Sequence, residues 1–286
     1  MSVAVAVVHW NSLEFLPACL EALGTYPGLE IVVVDNASPD GGEDLIRERF
    51  PAVRWLAMGR NAGFGAAVNA GAAATRSDWI LALNPDTTVT GQDLLAMAAA
   101  GEDLKAAALG PRIVDPGGRV ELSYNTRDSL LGDLGWLLAW RGGRMLWKLA
   151  TSPRQVSWVT GACLLVGRDD FERVGGFDEG YFLYFEDADL CRRLRLRGGR
   201  VIYHPGFSAV HRRGGSGKGQ AARVRLAYRQ SQLRFASLHR SAFYRRLMRW
   251  SLAVRAWLWR RPWSPPDVRQ CGAAWQETMR STGARR

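Results

Sequence analysis

Four apolar runs rich in β-branched residues alternate with helical patterns in the first part of the chain, and no other feature constrains the fold as strongly. The runs cover residues 3–8, 31–34, 53–58 and 79–83, and the helical patterns between them cover residues 13–23, 43–50 and 62–74. Such alternation is typical of βαβ units on a mostly parallel sheet. We therefore predict an α/β fold in which helices flank a mostly parallel sheet.

Each of these runs is followed by polar residues. The polar groups are His9-Trp10-Asn11, Asp35-Asn36, Gly59-Arg60-Asn61 and Asn84-Pro85-Asp86. Ligands of open parallel sheets bind outside the carboxyl ends of the strands. The sequence therefore predicts a ligand site at this edge of the sheet.

The pattern after residue 90 is less regular. A helical pattern covers residues 93–100, an irregular stretch with a turn covers 111–128, a strand pattern covers 156–166, and a last short strand is expected at 198–203. Residues 130–149, rich in Leu and Trp, fit either a core helix or a mobile lid over the site. The glycine-rich residues 214–219 fit a flexible joint or an active-site loop.

The net charge of +11 conceals a strong asymmetry between the two ends of the chain. From Cys191 onward there are 23 Lys and Arg residues and two acids, whereas the first 190 residues carry 15 Lys and Arg and 25 acids. A segment this basic favours a polyanionic partner, which can be anionic lipid, nucleic acid or a phosphorylated substrate.

Residues 241–259 form a strongly amphipathic helical pattern within this basic segment. One face carries Phe243, Leu247, Trp250, Val254, Trp257 and Leu258, and the other carries Arg245, Arg246, Arg249 and Arg260. Tryptophans opposite arginines are typical of a helix that lies in a membrane interface. An equal alternative is a helix whose apolar face packs on the α/β domain. Prolines from Pro262 onward end the pattern.

Length and cysteine usage narrow the class of protein. A chain of 286 residues, 47% of them hydrophobic, suits one large domain or a domain with an appendage. The cysteines Cys19, Cys163, Cys191 and Cys271 are scattered, which argues against a zinc knuckle, a redox motif or a disulfide framework and favours a reducing cytoplasm. The first residues lack a basic leader, and no window reaches the roughly 18 apolar residues of a spanning helix.

The acids Glu186, Asp187 and Asp189 directly follow an aromatic run at residues 181–185. A carboxylate against a partly dry aromatic wall has a proton affinity suited to general-base work. The alternative is that these acids occupy the first turn of a helix, where they interact with the positive end of its dipole. The segment alone supports both interpretations equally.

Five motifs occur in an order typical of one enzyme family. They cover residues 8–12, 34–41, 59–69, 83–86 and 185–187, and His211 provides a sixth match. On these motifs, which span about residues 3–216, the chain resembles the family 2 glycosyltransferases, specifically the rhamnosyltransferase-like branch with a GT-A fold. The resemblance implies inverting transfer of a sugar from a nucleotide diphosphate to an acceptor hydroxyl, normally with Mg²⁺ or Mn²⁺.

The resemblance assigns the donor site to the strand ends. Asp35 is expected to accept a hydrogen bond from the imide N–H of the donor base, although an acid that starts the 35–41 loop as an Asx-turn explains the same position. Glycines such as Gly63 and Gly65 let the backbone approach the ligand. The expected nucleotide-sugar contacts are Asn11, Asp35, Asn36, Arg60, Asn61, Gly63, Asn69, Asn84 and Asp86.

The metal site is expected at Asp86 and His211. Asn84-Pro85-Asp86 stands where many relatives carry Asp-x-Asp, so Asp86 becomes the main carboxylate ligand. His211 matches a position where relatives place a histidine that completes the metal site or holds the diphosphate. An ordinary turn is the alternative for residues 84–86. His9 is expected to pack rather than to bind.

The resemblance favours Asp187 as the general base, with Glu186 as the second candidate. Asp189 is expected to have a structural role, capping the helix or pairing with Arg192 or Arg193. Trp158, Gly161 and Tyr184 are expected on the acceptor side.

These observations predict a catalytic GT-A domain at residues 1–219, with a nucleotide-sugar half at 1–110 and an acceptor half at 111–219, followed by a basic helical region at 220–286. The expected reaction transfers a sugar, best rhamnose from dTDP-rhamnose, to a glycan or polyprenyl-diphosphate-linked acceptor in cell-envelope synthesis. The expected location is the cytoplasm, on the inner face of the membrane, where anionic lipid is the partner and nucleic acid is not.

Three alternatives remain open. A nucleotidyltransferase normally needs a Gly-rich basic phosphate loop, which residues 1–12 lack. A nucleic-acid-binding protein is suggested by the basic segment with interleaved Trp and Arg. A catalytically inactive relative would bind the donor without transferring its sugar.

Overall fold

The computed structural model describes residues 1–126, 150–212 and 221–259. The chain divides into two compact units. The first comprises Met1–Glu179 and Glu186–Ser216, and the second comprises Gly180–Phe185 and Gly217–Arg286. The predicted segments 130–149 and 214–219 lie outside the described residues.

The first unit begins with the predicted parallel sheet. Its strands are β1 (Val3–His9), β2 (Leu29–Asp35), β3 (Arg54–Ala57) and β4 (Trp79–Leu83), joined by helices α1 (Leu16–Leu23), α2 (Glu43–Arg49) and α3 (Phe64–Ala73). All the pairings among these strands are parallel, and His9 at the end of β1 lies beside Asp35 at the end of β2. The alternation of apolar runs and helical patterns therefore predicted this half correctly.

The remainder of the first unit adds strands to the same sheet and one small second sheet. Its elements are β5 (Thr87–Thr88), α4 (Gly91–Asp103), β6 (Ala106–Val114), β7 (Tyr124–Asn125), β8 (Arg154–Gln155), β9 (Trp158–Val159), β10 (Cys163–Gly167), α5 (Arg168–Arg173), α6 (Glu186–Leu196) and β11 (Arg200–His211). In the described residues the main sheet has the order β3-β2-β1-β4-β10-β6-β11-β5, β8 pairs with β11, and β7 pairs with β9. β10 runs antiparallel to both of its neighbours.

Three predicted boundaries in this part were wrong. The irregular stretch starts later than expected, because β6 continues through Pro111 to Val114. The apolar run 156–166 is two strands, β9 and β10, separated by a turn at residues 160–162. The last strand extends to His211, because the pairing of β11 with β6 resumes after an irregularity between His204 and Ser208 that accommodates Pro205.

Both faces of the sheet are covered by apolar side chains. Val3, Val5 and Val7 of β1 contribute to one buried cluster with α1 and α4, and Ala6 and Val8 contribute to the other with α3 and α6. Full burial of one such aliphatic side chain stabilises the fold by about 1.5–3 kcal/mol. The period-2 alternation of side chains along β1 thus holds helices on both faces and fixes the edge where the strands end.

The cysteines of the described residues serve this core. Cys19, Cys163 and Cys191 are buried and unpaired. Burial raises the pKa of Cys163 and of Cys191 to about 12, so both thiols stay protonated. They behave as small apolar side chains, as expected for a chain without a redox motif.

The second unit contains the segment Gly180–Phe185 and two helices, α7 (Ala221–His239) and α8 (Ala242–Trp259). α8 corresponds to the predicted amphipathic helix. Phe243 and Trp250 on its apolar face are 73% and 66% exposed, and Arg245, Arg246 and Arg249 are also exposed. None of the helices in the described ranges is long and apolar enough to cross a bilayer.

Candidate active site

A short hydrogen-bonded path at the carboxyl edge of the sheet joins the end of β4 to the start of α6. The backbone N–H of Asn84 donates to the carbonyl of Ala162 at 3.1 Å. Gly161 precedes Ala162 in the same turn, and its backbone N–H donates to Oδ2 of Asp187 at 2.9 Å. The turn between β9 and β10 therefore connects the predicted metal-binding turn with the predicted general base.

Asp187 is held by two backbone donors. Gly161 binds Oδ2, and the N–H of Ala188 donates to Oδ1 at 2.7 Å. Burial raises the pKa of Asp187 above its ordinary value, against the opposing effect of these hydrogen bonds. The site thus presents an oriented carboxylate with increased proton affinity, as a general base requires.

Glu186 occupies a drier position than Asp187. The residue is 6% exposed, and within the described parts of the chain its Oε2 atom has no hydrogen-bond partner. Burial raises the pKa of Glu186 well above its ordinary value, and the negative charge of Asp187 raises it further. A carboxyl group in these surroundings favours its neutral form.

Asp189 has the structural role expected from its position. Its Oδ2 accepts a 2.6 Å hydrogen bond from Nε of Arg193, one turn further along α6. Nη1 of the same arginine donates to the carbonyls of Val174 and Gly176, each at 2.8 Å. The Asp189–Arg193 pair therefore attaches α6 to the turn at residues 174–176.

The two predicted metal ligands lie side by side. Nε2 of His211 is 3.3 Å from Oδ1 of Asp86, and Nδ1 is 3.4 Å from Oε2 of Glu121. The contact follows from the sheet, because His211 of β11 lies opposite Thr87 of β5, the residue after Asp86. All three side chains are largely buried.

The chemistry of these side chains fits a divalent cation. A buried carboxylate and an imidazole are suitable ligands for Mn²⁺ or Mg²⁺, which usually bind through one or two protein ligands together with substrate phosphates. In the described ranges no group of three or more His, Cys, Asp or Glu side chains is arranged as a complete metal site. Asp86 and His211 could therefore supply two of the ligands of such a cation.

The turn at residues 84–87 also has the geometry of the ordinary-turn alternative. The N–H of Thr87 donates to the carbonyl of Asn84 at 3.1 Å, which closes a β-turn. The backbone N–H of Arg212 donates to the carbonyl of Asp86 at 2.9 Å. The Asp86 carboxylate of this turn faces His211 of β11. Residues 84–87 can therefore be an ordinary β-turn and still supply a metal ligand.

Asn36 and Asn61 shape the loop before α3. Nδ2 of Asn36 donates to Oδ1 of Asn61 and to the carbonyl of Gly63, each at 3.1 Å, and Oδ1 accepts from the N–H of Ala62 at 2.9 Å. The side-chain amide of Asn36 is thus engaged within the protein. Its predicted contact with the donor would therefore be indirect, through the position of the loop.

Asn69 is likewise engaged within the first unit. Its side-chain amide exchanges two hydrogen bonds with the backbone of Phe177, at 2.9 and 3.0 Å, and Nδ2 also donates to Glu179 at 3.0 Å. Arg60, in contrast, is exposed at the start of the loop. Of these two predicted contacts, Arg60 is the side chain that solvent or a phosphate can reach directly.

Asp35 and Asn11 lie at neighbouring strand ends. Oδ1 of Asp35 accepts from the N–H of Ser38 at 2.8 Å, which is the Asx-turn considered as the alternative. Oδ2, the other carboxylate oxygen of Asp35, is the atom that could accept a hydrogen bond from a nucleobase N–H. Asn11 has a left-handed φ of 48°, and its N–H donates to Oγ of Ser38 at 2.6 Å.

His9 is fully buried and packs at this edge, as expected. Its ring nitrogens lie 2.9 Å from Oγ of Ser12 and 3.0 Å from the carbonyl of Gly41, and Nε2 is 3.2 Å from Asp40. The ring also lies against Trp55, with 5.6 Å between centroids. The buried His9 ring therefore holds the loop at residues 36–42 through Asp40 and Gly41.

The three predicted acceptor-side residues are placed differently. Gly161 binds Asp187 directly. Trp158 is half-buried in β9, where it pairs with Asn125. Tyr184 belongs to the second unit, where its ring contacts Tyr228 at 5.5 Å between centroids.

Glu121 and the hydrogen-bonding role of the 160–162 turn were not predicted from the sequence. Glu121 lies in a stretch without periodicity, so nothing in the pattern distinguishes it from the other acids of the chain. The turn lies inside a continuous apolar run, and Gly161 was the available signal, since a glycine within a strand pattern indicates an irregularity.

The chain is similar in sequence to known proteins of one family. Residues 4–175 match the family described as Glycosyl transferase family 2. The chain is 35% identical over 285 residues to an N-acetylglucosaminyl-diphospho-decaprenol L-rhamnosyltransferase of Mycobacterium tuberculosis, an alignment that covers 90% of this chain and 91% of the relative.

Solved glycosyltransferases share the fold at lower sequence identity. A mannosyltransferase from Pyrobaculum calidifontis in complex with GDP-Man and Mn²⁺ aligns with a TM-score of 0.57 and 18% identity, covering 99% of this chain and 76% of that enzyme. GalNAc-T7 with UDP, GalNAc and Mn²⁺ aligns with a TM-score of 0.58 and 17% identity, covering 75% of this chain and 44% of that one.

These matches favour a glycosyltransferase over the nucleotidyltransferase and the nucleic-acid-binding protein considered from the sequence. The ordered motifs, the sheet edge and the family match agree with one another. The chain belongs to glycosyl transferase family 2, in its rhamnosyltransferase-like branch, and has the GT-A fold.

Proposed function

We propose that the protein is an inverting, metal-dependent transferase that moves L-rhamnose, with dTDP-rhamnose as the best candidate donor, to a hydroxyl of a polyprenyl-diphosphate-linked glycan. The observation that carries this proposal is the path from Asn84 through Ala162 and Gly161 to Asp187. It connects the candidate base with the candidate metal turn. The acceptor class rests on the printed name of the Mycobacterium tuberculosis relative.

In the proposed reaction, Asp187 removes the proton of the acceptor hydroxyl. The hydroxyl oxygen forms a bond to the anomeric carbon from the face opposite the diphosphate, the bond from that carbon to the diphosphate oxygen breaks, and the proton remains on Asp187. The Gly161 N–H holds the carboxylate in one orientation. The raised pKa of Asp187 improves it as a base near neutral pH.

Asp86 and His211 are the side chains that would hold Mg²⁺ or Mn²⁺. When bound, the cation supplies positive charge that stabilises the leaving diphosphate. Two of the structural neighbours were crystallised with Mn²⁺, which supports this choice of metal. Glu121 would orient His211 through Nδ1.

The donor itself is proposed to lie along the ends of β1, β2 and β4. Asp35 would accept from the base, and the exposed Arg60 would contact the phosphates. Gly63, which has a φ of 94°, ends the loop and leads into α3, so backbone N–H groups of the first turn are directed toward this edge.

The basic second unit is proposed to bind the anionic cytoplasmic face of the membrane, where a polyprenyl-linked acceptor is found. The support is α8, in which large apolar side chains and arginines are both exposed. Each basic residue close to anionic lipid contributes about 1 kcal/mol to binding.

The test is a transfer assay on the purified full chain with a synthetic polyprenyl-diphosphate N-acetylglucosamine acceptor and a panel of nucleotide sugars that includes dTDP-rhamnose. Wild type should transfer one donor in preference to the rest, and EDTA should abolish transfer. Asp187→Asn and Asp86→Ala should lose it, while Asp103→Asn, an exposed carboxylate of α4, should not. Near wild-type turnover in both site variants would refute the assigned mechanism.

A further inference from the structure

The six residues before the two catalytic candidates belong to the second unit. The chain enters that unit at Gly180, leaves it at Phe185, and continues directly into Glu186 and Asp187. The family match ends at residue 175, before this segment. The contacts of these six residues therefore affect the direction in which the chain enters α6.

One face of α7 holds this segment. Oγ of Ser231, a buried residue, donates to the carbonyl of Leu183 at 2.8 Å. The Tyr228 ring contacts the ring of Phe185 at 5.2 Å between centroids, and Phe235 contacts the same ring at 5.6 Å. Residues 228, 231 and 235 have the spacing of a single helix face.

The start of the segment is held as well. The guanidinium of Arg234 lies over the ring of Tyr181, 5.3 Å from its centroid, and Tyr181 is fully buried. Gly180 packs so closely on the same guanidinium that a Cβ there would overlap it. Contacts with α7 thus occur at both ends of the six residues.

The backbone of the segment needs such support. Tyr184 and Phe185 both have a φ of 68°, the left-handed region that bulky residues rarely adopt. Residues persist in this conformation only when their surroundings determine it, and they are concentrated at functional sites. The two residues set the direction of the chain into α6, because planar peptide bonds leave φ and ψ as its only freely rotating angles.

We infer that Tyr228, Ser231 and Phe235 of α7 are positioning residues for Asp187. They hold Tyr184 and Phe185 in the left-handed conformation, and this conformation fixes the first turn of α6, which carries the base. The inference rests on the proposed role of Asp187. It gives the C-terminal unit a part in the chemical step that is separate from membrane binding.

The experiment compares Tyr228→Ala, Phe235→Ala and the milder Ser231→Ala with wild type, using donor and acceptor at saturating concentration. Tyr228→Ala should lower kcat by ~10- to 100-fold, since a small displacement of a catalytic group costs up to about that much. The KM for the donor should not change, and neither should the increase in melting temperature that donor binding produces. Tyr228→Phe, which keeps the ring contacts, should restore most of the lost turnover.

A second measurement does not depend on activity. Hydrogen exchange followed by mass spectrometry should show faster deuterium uptake in a peptide covering residues 184–190 in each alanine variant, and unchanged uptake in a peptide covering residues 59–74. Ser237→Ala, which removes an exposed hydroxyl from the opposite face of α7, is the matched control for Ser231→Ala and should change neither uptake nor kcat.

The inference is overturned if the alanine variants keep kcat within about twofold of wild type, or if they lose kcat and donor stabilisation together. It is also overturned if uptake at 184–190 does not rise in Ser231→Ala, the variant that removes only one hydroxyl. If wild type transfers no sugar from any donor, the proposed function fails, and the exchange experiment still decides whether α7 holds this segment.

Discussion

The backbone N–H of Gly161 lies 2.9 Å from Oδ2 of Asp187 and donates a hydrogen bond to it. This contact joins the turn after β9 to the first turn of α6. A Cβ at Gly161 would lie 3.5 Å from Cβ of Asp187, an ordinary contact, and 3.2 Å from the ring of Phe64, which would have to shift slightly. The orientation of the carboxylate is therefore set by the backbone N–H of Gly161.

Asp187→Asn is expected to lower kcat by ~10²- to 10⁴-fold, the usual contribution of a general base. An asparagine has one acceptor oxygen, so it keeps one of the two hydrogen bonds from the N–H groups of Gly161 and Ala188; a modest loss of stability is expected, while donor binding should be preserved. Steady-state kinetics and donor-induced thermal stabilisation measure the two effects separately. An equal loss of donor binding would point to a structural role for Asp187 instead.

The pH dependence of kcat/KM should show an acid limb above the range of an ordinary aspartate, whose pKa is about 3.9. Asp187 must be ionised to act as a base, and burial raises its pKa. Activity is therefore lost as the pH falls through this raised pKa. An acid limb that persists unchanged in the residual activity of Asp187→Asn would assign it to another group.

Glu186→Gln is expected to stabilise the protein at alkaline pH and to have little effect at acid pH. The pKa of Glu186 is raised in the folded state, so the folded protein binds more protons than the unfolded chain between the ordinary and the raised pKa. Stability contributed by this group is present below its unfolded pKa and is lost as the pH rises through the folded pKa. Glutamine stays neutral at every pH, so the variant keeps this stability where the wild type loses it.

Thermal unfolding at about pH 4.5 and about pH 8 measures this difference, with Glu48→Gln, an exposed acid of α2, as the control. The melting temperature of Glu186→Gln relative to wild type should rise by at least ~2 °C between the two conditions. A difference independent of pH would contradict the raised pKa.

Glu121→Gln should weaken binding of Mn²⁺ by ~10-fold or more in the presence of a nucleoside diphosphate, because a partner that orients a histidine ligand usually contributes that much. Nδ1 of His211 lies 3.4 Å from Glu121. Electron paramagnetic resonance of free Mn²⁺ measures the affinity without any turnover. Asp86→Ala should abolish binding, whereas Asp103→Asn should leave it unchanged.

Replacing Arg245, Arg246 and Arg249 with glutamine should weaken flotation with anionic liposomes by roughly 100-fold, since each arginine contributes about 1 kcal/mol. Wild-type binding should also decrease with salt. The matched control replaces Arg47, Arg49 and Arg54, which are exposed on the first unit. Unchanged flotation of the α8 variant would exclude this helix as the membrane contact.

The sequence predicted the first half of the fold well because its signals are local. The strands β1, β2 and β4 are apolar runs with polar ends; Asp35 is the last residue of β2 and Asp86 lies shortly after β4, both at the edge where the parallel strands end. Asp86 and His211 could be assigned together only from the family resemblance. Their contact depends on the pairing of β5 with β11, which no local pattern encodes.

Non-local contacts also explain what was missed. Glu121 acquires its role from His211, a residue distant in the chain. The strand β11 crosses Pro205, and a proline ordinarily ends a predicted strand, so its second half, including His211, was not expected to belong to it. The interaction of Tyr184 with Tyr228 likewise depends on a helix that begins far downstream.

The position of β10 has a consequence for the order of folding. β4 and β6 are close in sequence but are not neighbours in the sheet, because β10 lies between them and Cys163 pairs with Leu83. An N-terminal fragment ending near residue 110 would leave the edge of β4 uncovered, a surface prone to aggregation. Pairings of such long sequence separation form slowly. The turn at residues 160–162 directly precedes β10, so a chain that ends before β10 lacks both this turn and the strand that covers the edge of β4.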